Sequence, residues 1–93
     1  MSDQDHKLEE LRQQIDDLDE QLLQILAKRT DVARQIGSYK KAKDLDLTDP
    51  KRMQAVLTAQ LARAQAANLP EEFVRQLYEV IYKYTIAIEA ETP

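Results

Sequence analysis

Between residues 8 and 39, apolar side chains return at steps of three and four: Leu8, Leu11, Ile15, Leu18, Leu22, Ile25, Val32, Ile36 and Tyr39. A heptad seam sustained over that length specifies one long α-helix. The pattern predicts a helix from about His6 to about Lys43, on the order of 50 Å long at 1.5 Å per residue. An average globular helix has only about 11–12 residues. Gly37 interrupts the pattern, and a glycine inside a helix costs about 1 kcal/mol relative to alanine. Tyr39 keeps the phase beyond it, so the helix is expected to continue. Gly37 is also the only glycine of the 93 residues. So few turn formers argue against many short strands and for a few long helices.

Two breaks divide the chain. The first is Asp44-Leu45-Asp46-Leu47-Thr48. Asp49-Pro50 then reads as an N-cap followed by proline at the first helical position, which predicts a second helix over about 50–67. Its apolar face is Met53, Val56, Leu57, Leu61 and Ala64, and Asn68 suits its end. After Leu69-Pro70, a third helix is predicted over about 70–90, with Glu71 and Glu72 in the first turn, where acids are favourable. Its expected face is Phe73, Leu77, Val80 or Ile81, Tyr84 and Ile88, and the tail from Ala90 to Pro93 is expected to fray. The fold class is therefore all-α, a single domain over residues 1–93 with one very long helix and two shorter ones. A chain of this size buries only about 60–70% of its unfolded surface. Two short helices cover only part of the long seam, so we expect association, most simply a two-fold homodimer with the long helices side by side.

Composition excludes several kinds of chemistry. The absence of Cys removes disulfides, thiolate nucleophiles and cysteine-zinc sites. His6 is the only histidine, and Ser2 and Ser38 are the only serines, which leaves little for a histidine metal site or a serine triad. The formal net charge of −4 disfavours nucleic acid and anionic membranes as partners. No apolar run approaches the length of a membrane span, and the acidic start does not resemble a secretory signal, so the expected location is the cytoplasm. No glycine-rich phosphate loop and no metal constellation is visible, so neither metal nor cofactor is expected.

The informative residues are the charges that break the pattern. In the heptad count, position 29 falls on the seam, and it is Arg29. A buried, unpaired guanidinium is costly, so Arg29 needs an anionic partner. That partner is either an internal acid, such as Asp16, Asp19 or Glu89, or a ligand. Arg12 lies at the margin of the seam. Lys40 follows Arg29 by 11 residues, about three turns, on nearly the same face. Arg52 sits in the first turn of the second helix, where a cation opposes the helix dipole. Taken singly, each fits an ordinary solvated helix face. Taken together, converging cations in an acidic helical protein suit a small dicarboxylate, because a guanidinium fork holds two oxygens at once. Glu89 is either an exposed acid near a fraying end or a carboxyl facing the same cavity.

These residues resemble a known family. Leu11-Arg12-xx-Ile15-xx-Leu18-Asp19-xx-Leu22-Leu23-xx-Leu26-Ala27-x-Arg29, then Val32-Ala33-xx-Ile36-Gly37-xx-Lys40, is similar to the first helix of the all-helical (type II) chorismate mutases. Asp49-Pro50-x-Arg52 resembles the start of that family's second helix, and the likeness covers roughly residues 8–89. The resemblance implies an intertwined homodimer of three-helix chains with shared active sites. It implies a cofactor-free Claisen rearrangement of chorismate to prephenate, an isomerase step of the shikimate pathway toward aromatic amino acids. It also implies roles. Arg12, reaching into the partner's site, and Arg29 would hold the two substrate carboxylates, and Lys40 would donate to the ether oxygen and one carboxylate. The backbone of Asp49 would contact the ring hydroxyl, Arg52 would line the site, and the Thr85 hydroxyl would lie near a carboxylate. Glu89 stands where many members carry Gln, and would help only when protonated, so the rate should fall as pH rises through its titration. Met53 stands where typical mutases carry a Glu that accepts from the ring hydroxyl.

Met53 keeps the substrate open. Isochorismate pyruvate lyase, a relative that forms salicylate, also lacks that glutamate, and mutases of aminodeoxychorismate share the fold. A reading of a different class is a non-catalytic helical dimer that serves as an interaction or regulatory module.

Overall fold

A computed structural model describes residues 3–91. It contains three helices: α1 over Asp3–Ala42, α2 over Pro50–Ala66 and α3 over Glu71–Glu91. The all-α, three-helix expectation holds, and each observed boundary lies within three residues of the expected one. Met1, Ser2, Thr92 and Pro93 lie outside the described residues. Ala90 and Glu91 remain helical, so the expected fraying does not extend to them.

The helix ends follow from local chemistry. Asp49 caps α2: its carboxylate accepts a hydrogen bond from the Arg52 backbone N–H at 3.0 Å, and Pro50 opens the first turn. The first two helices stop in the same way. Asp44 and Asn68 take left-handed backbone angles, φ 55° and 58°. After α1, Leu45 N–H donates to the Lys40 carbonyl at 2.8 Å and Asp44 N–H to that of Lys41 at 3.3 Å. After α2, Leu69 N–H donates to Ala64 at 2.8 Å and Asn68 N–H to Gln65 at 3.2 Å. Each is a Schellman ending in which Asp or Asn takes the place usual for Gly, as their short polar side chains allow. At the start of α3, Glu71 accepts from Arg75 at 3.0 Å, one turn on.

The chain divides into two compact units, residues 1–31 and 32–93. In the first, the seam residues Leu8, Leu11, Ile15, Leu18, Leu22 and Ile25 are about half exposed or more. In the second, α2 packs on α3, and the core is built from small side chains. Ala33, Ala64 and Val74 are buried, and Val56, Leu57 and Leu61 are half-buried.

The inward face of α3 matches the expected one at Ile81 and Ile88 and differs elsewhere. Val74 is buried and Tyr78, Ile81, Thr85 and Ile88 are half-buried, whereas Phe73, Leu77, Val80 and Tyr84 are exposed. This helix carries two apolar stripes, and periodicity does not say which one its own chain covers. Met53, expected on the inner face of α2, is also exposed.

Candidate active site

Within the second unit, the end of α1 meets α3 at one carboxylate. On α1, Ala33 and Gly37 are buried and Lys40 is half-buried, four and three residues apart on one face. Opposite them on α3 stands Glu89, only 5% exposed. Lys40 Nζ donates to Glu89 Oε1 at 2.7 Å and to the carbonyl of Leu47 at 2.8 Å. The first contact is an ion pair, with the lysine side chain 19% exposed and the glutamate 5%. This disposes of the alternative in which Glu89 is a solvent-exposed acid at a loose end. An ammonium has three N–H groups, and the Leu47 carbonyl and Glu89 together engage two of them.

The other expected residues of this unit lie at definite places. Asp49 and Arg52 are joined at the N-terminus of α2 by the cap described above. Arg52 is exposed, and the first turn of α2 has no acid of its own. Met53 N–H donates to the Asp49 carbonyl at 2.9 Å. Thr85 lies one turn before Glu89 on α3 and is half-buried. Arg12 and Arg29 belong to the first unit. Arg29 is exposed, and Arg12, 64% exposed in its side chain, donates to Glu9 at 3.1 Å. The structure thus brings Lys40 and Glu89 together and joins Asp49 to Arg52. A cleft at the α2–α3 turn, lined by Leu61, Ala62, Gln65, Leu69 and Glu71, holds none of these residues. Among the described residues, no group of three or more His, Cys, Asp or Glu could hold a metal ion. No described helix is long and apolar enough to cross a membrane.

Two participants escaped sequence reasoning. The Leu47 carbonyl is a backbone group with no signature in the sequence. Gly37 was visible as a lone glycine inside a helix, but not what it packs against.

A family model described as chorismate mutase type II matches residues 11–90. The chain belongs to the type II chorismate mutase family. It is 30% identical over 82 residues to the T-protein of Haemophilus influenzae, covering 88% of this chain and 22% of that protein. It is 28% identical over 83 residues to the T-protein of Enterobacter agglomerans, covering 89% and 22%. It is 22% identical over 83 residues to the chorismate mutase of Methanocaldococcus jannaschii, covering 89% of this chain and 84% of that one. The chain therefore spans about a fifth of the length of the two T-proteins and most of the archaeal mutase.

Proposed function

We propose that this chain is a chorismate mutase that converts chorismate to prephenate. The observation that carries the reading is the Lys40–Glu89 pair. A buried carboxylate and a lysine ammonium sit in contact on the docked ends of α1 and α3. In the reaction the ether C–O bond breaks as a C–C bond forms, within one molecule, and negative charge develops on the ether oxygen. No group is transferred and no redox partner is needed. Lys40 donates to that oxygen, and Glu89, which holds Lys40 by the ion pair, lies beside it. Donors already fixed in place stabilise the transition state more than the ground state. Arg29 and Arg12 hold the two carboxylates and so select the folded, reactive conformer. Thr85 lies near one carboxylate, the Asp49 backbone meets the ring hydroxyl, and Arg52 lines the site.

The protein acts as a homodimer, with Arg12 of each chain serving the partner's site. Half-exposed leucines and isoleucines along the first unit supply the apolar surface for this association. We place the enzyme in the cytoplasm. Met53 supports a second reading, because its thioether is a poor acceptor for a ring hydroxyl. Isochorismate pyruvate lyase activity, or mutase activity on aminodeoxychorismate, fits that position.

The test is incubation with each of the three substrates, following prephenate and salicylate separately. Prephenate from chorismate is the expected result. Salicylate and pyruvate from isochorismate alone would move the assignment to the lyase. Tight binding of a transition-state analogue with no turnover of any substrate would make the protein a binding module.

A further inference from the structure

Gly37 is buried on α1, and its missing side chain has a specific neighbour. A Cβ built there would lie 2.5 Å from the carbonyl oxygen of Glu89, 2.8 Å from its Cα and 3.0 Å from its carbonyl carbon. All three are backbone atoms, so no side-chain rotation makes room. Any L side chain at 37 would push the two backbones apart by about 1 Å, the gap between 2.5 Å and the 3.4 Å at which ordinary contact begins. The residue met is the one whose carboxylate holds Lys40, and Lys40 lies one turn beyond Gly37 on the same helix. The absent Cβ therefore sets the separation of the two backbones that carry the ion pair. It also accounts for a glycine at a helix position where alanine would favour the helix by about 1 kcal/mol.

We propose that Gly37 is a positioning residue: its close approach to the Glu89 backbone holds Lys40 and Glu89 at catalytic distance. This rests on the reading that the pair acts at the substrate's ether oxygen. Gly37 touches no substrate and acts only through that pair. A misplacement of about 1 Å in such a pair costs about 10²-fold in rate.

The experiment uses the full chain and G37A in two linked measurements. In the first, G37A should lower kcat on chorismate about 100-fold while KM changes less than about threefold, since the arginine clamps lie elsewhere. In an E89A background the same change should cost less than about threefold, because the geometry it disturbs no longer matters. In the second, K40M, E89Q and the double variant are unfolded in urea at one protein concentration. The coupling between Lys40 and Glu89 should be present with Gly37 and lost with G37A. This second arm does not depend on turnover. A wild-type protein inactive on all three substrates would sink the catalytic reading, and the coupling would still judge Gly37. Equal rate losses with and without Glu89, or an undiminished coupling in G37A, would overturn the proposal. If G37A folds poorly, all variants are compared in the same concentration of sucrose, which favours compact states. A G37A chain that stays unfolded there would make Gly37 a requirement of folding and also overturn it.

Discussion

From residue 5 to residue 31 nothing is buried, whereas residues 32–91 bury Ala33, Gly37, Ala64, Val74 and Glu89. The charges differ in the same way. In the first region Arg12 pairs with Glu9, three residues away, and Gln13 donates to Asp17, four residues away. Exposed pairs of that kind form in any helix and contribute about 0–1 kcal/mol. In the second region Lys40 meets Glu89 across 49 residues of sequence. That contact exists only when the ends of α1 and α3 are docked, and removing one partner leaves the other buried and uncompensated. The first region is apolar surface without a cover of its own. The second keeps a small core and places one acid inside it. Chemistry that needs fixed charges belongs with the second region, and association belongs with the first.

The largest expected effect tests that division. K40M should lower kcat about 10²–10³-fold while the circular dichroism stays helical, because a preorganised donor is lost. A loss below tenfold would put the chemistry elsewhere. R12A should also be nearly inactive, although Arg12 lies in the other region. Refolding the two inactive variants together sharpens the comparison. If Arg12 of one chain serves the site of its partner, each mixed dimer has one site with both residues intact. About half the dimers are mixed, so about a quarter of wild-type activity should return. No recovery would mean that the two regions do not meet across a dimer. Leu18→Asp should shift the chain to monomer at micromolar concentration in sedimentation, since a carboxylate on the seam resists burial. A dimer that survives it does not use the seam.

Much of the fold was legible because its causes are local. The seam set the extent of α1, Asp49-Pro50 set the start of α2, and Asn68 marked its end. Each depends on residues within a turn or two. The docked face of α3 was legible only at Ile81 and Ile88, because Phe73, Leu77, Val80 and Tyr84 are as apolar as the stripe that is actually covered. At the site, the charge pattern singled out Lys40 and Glu89 and the resemblance gave them roles, but their contact depends on how α3 lies against α1. Gly37 shows the same boundary. Its place in the sequence showed that something was unusual, and only the Glu89 backbone beside it shows why.

A smaller effect should separate the two roles open to Glu89. Its carboxylate holds Lys40 at 2.7 Å. An amide at 89 still accepts from Lys40 and also donates, whereas a methyl does neither. At one fixed pH, E89Q should therefore keep kcat within about tenfold of wild type, and E89A should lose about 10²-fold. An E89A rate equal to wild type would show that Glu89 serves the fold of the second region and not the reaction.

The smallest expected effect separates a backbone role from a side-chain role at Asp49. Its carboxylate caps α2 through the Arg52 N–H, whereas its proposed part in the reaction belongs to its backbone. Removing the side chain should therefore lower stability and leave the chemistry nearly intact. Loss of an N-cap costs about 1 kcal/mol. For a domain of this size that corresponds to a fall in Tm of about 4–8 °C. D49A should show that fall, with kcat reduced less than about threefold below the transition. D49N should show neither change, because asparagine caps about as well as aspartate. The two variants also separate capping from charge, since D49N keeps the hydrogen bond and loses the negative charge near the helix N-terminus. If D49N loses activity while its Tm is unchanged, the Asp49 carboxylate itself acts in the site. The N-terminus of α2 would then contribute a charge to the chemistry as well as a rigid backbone.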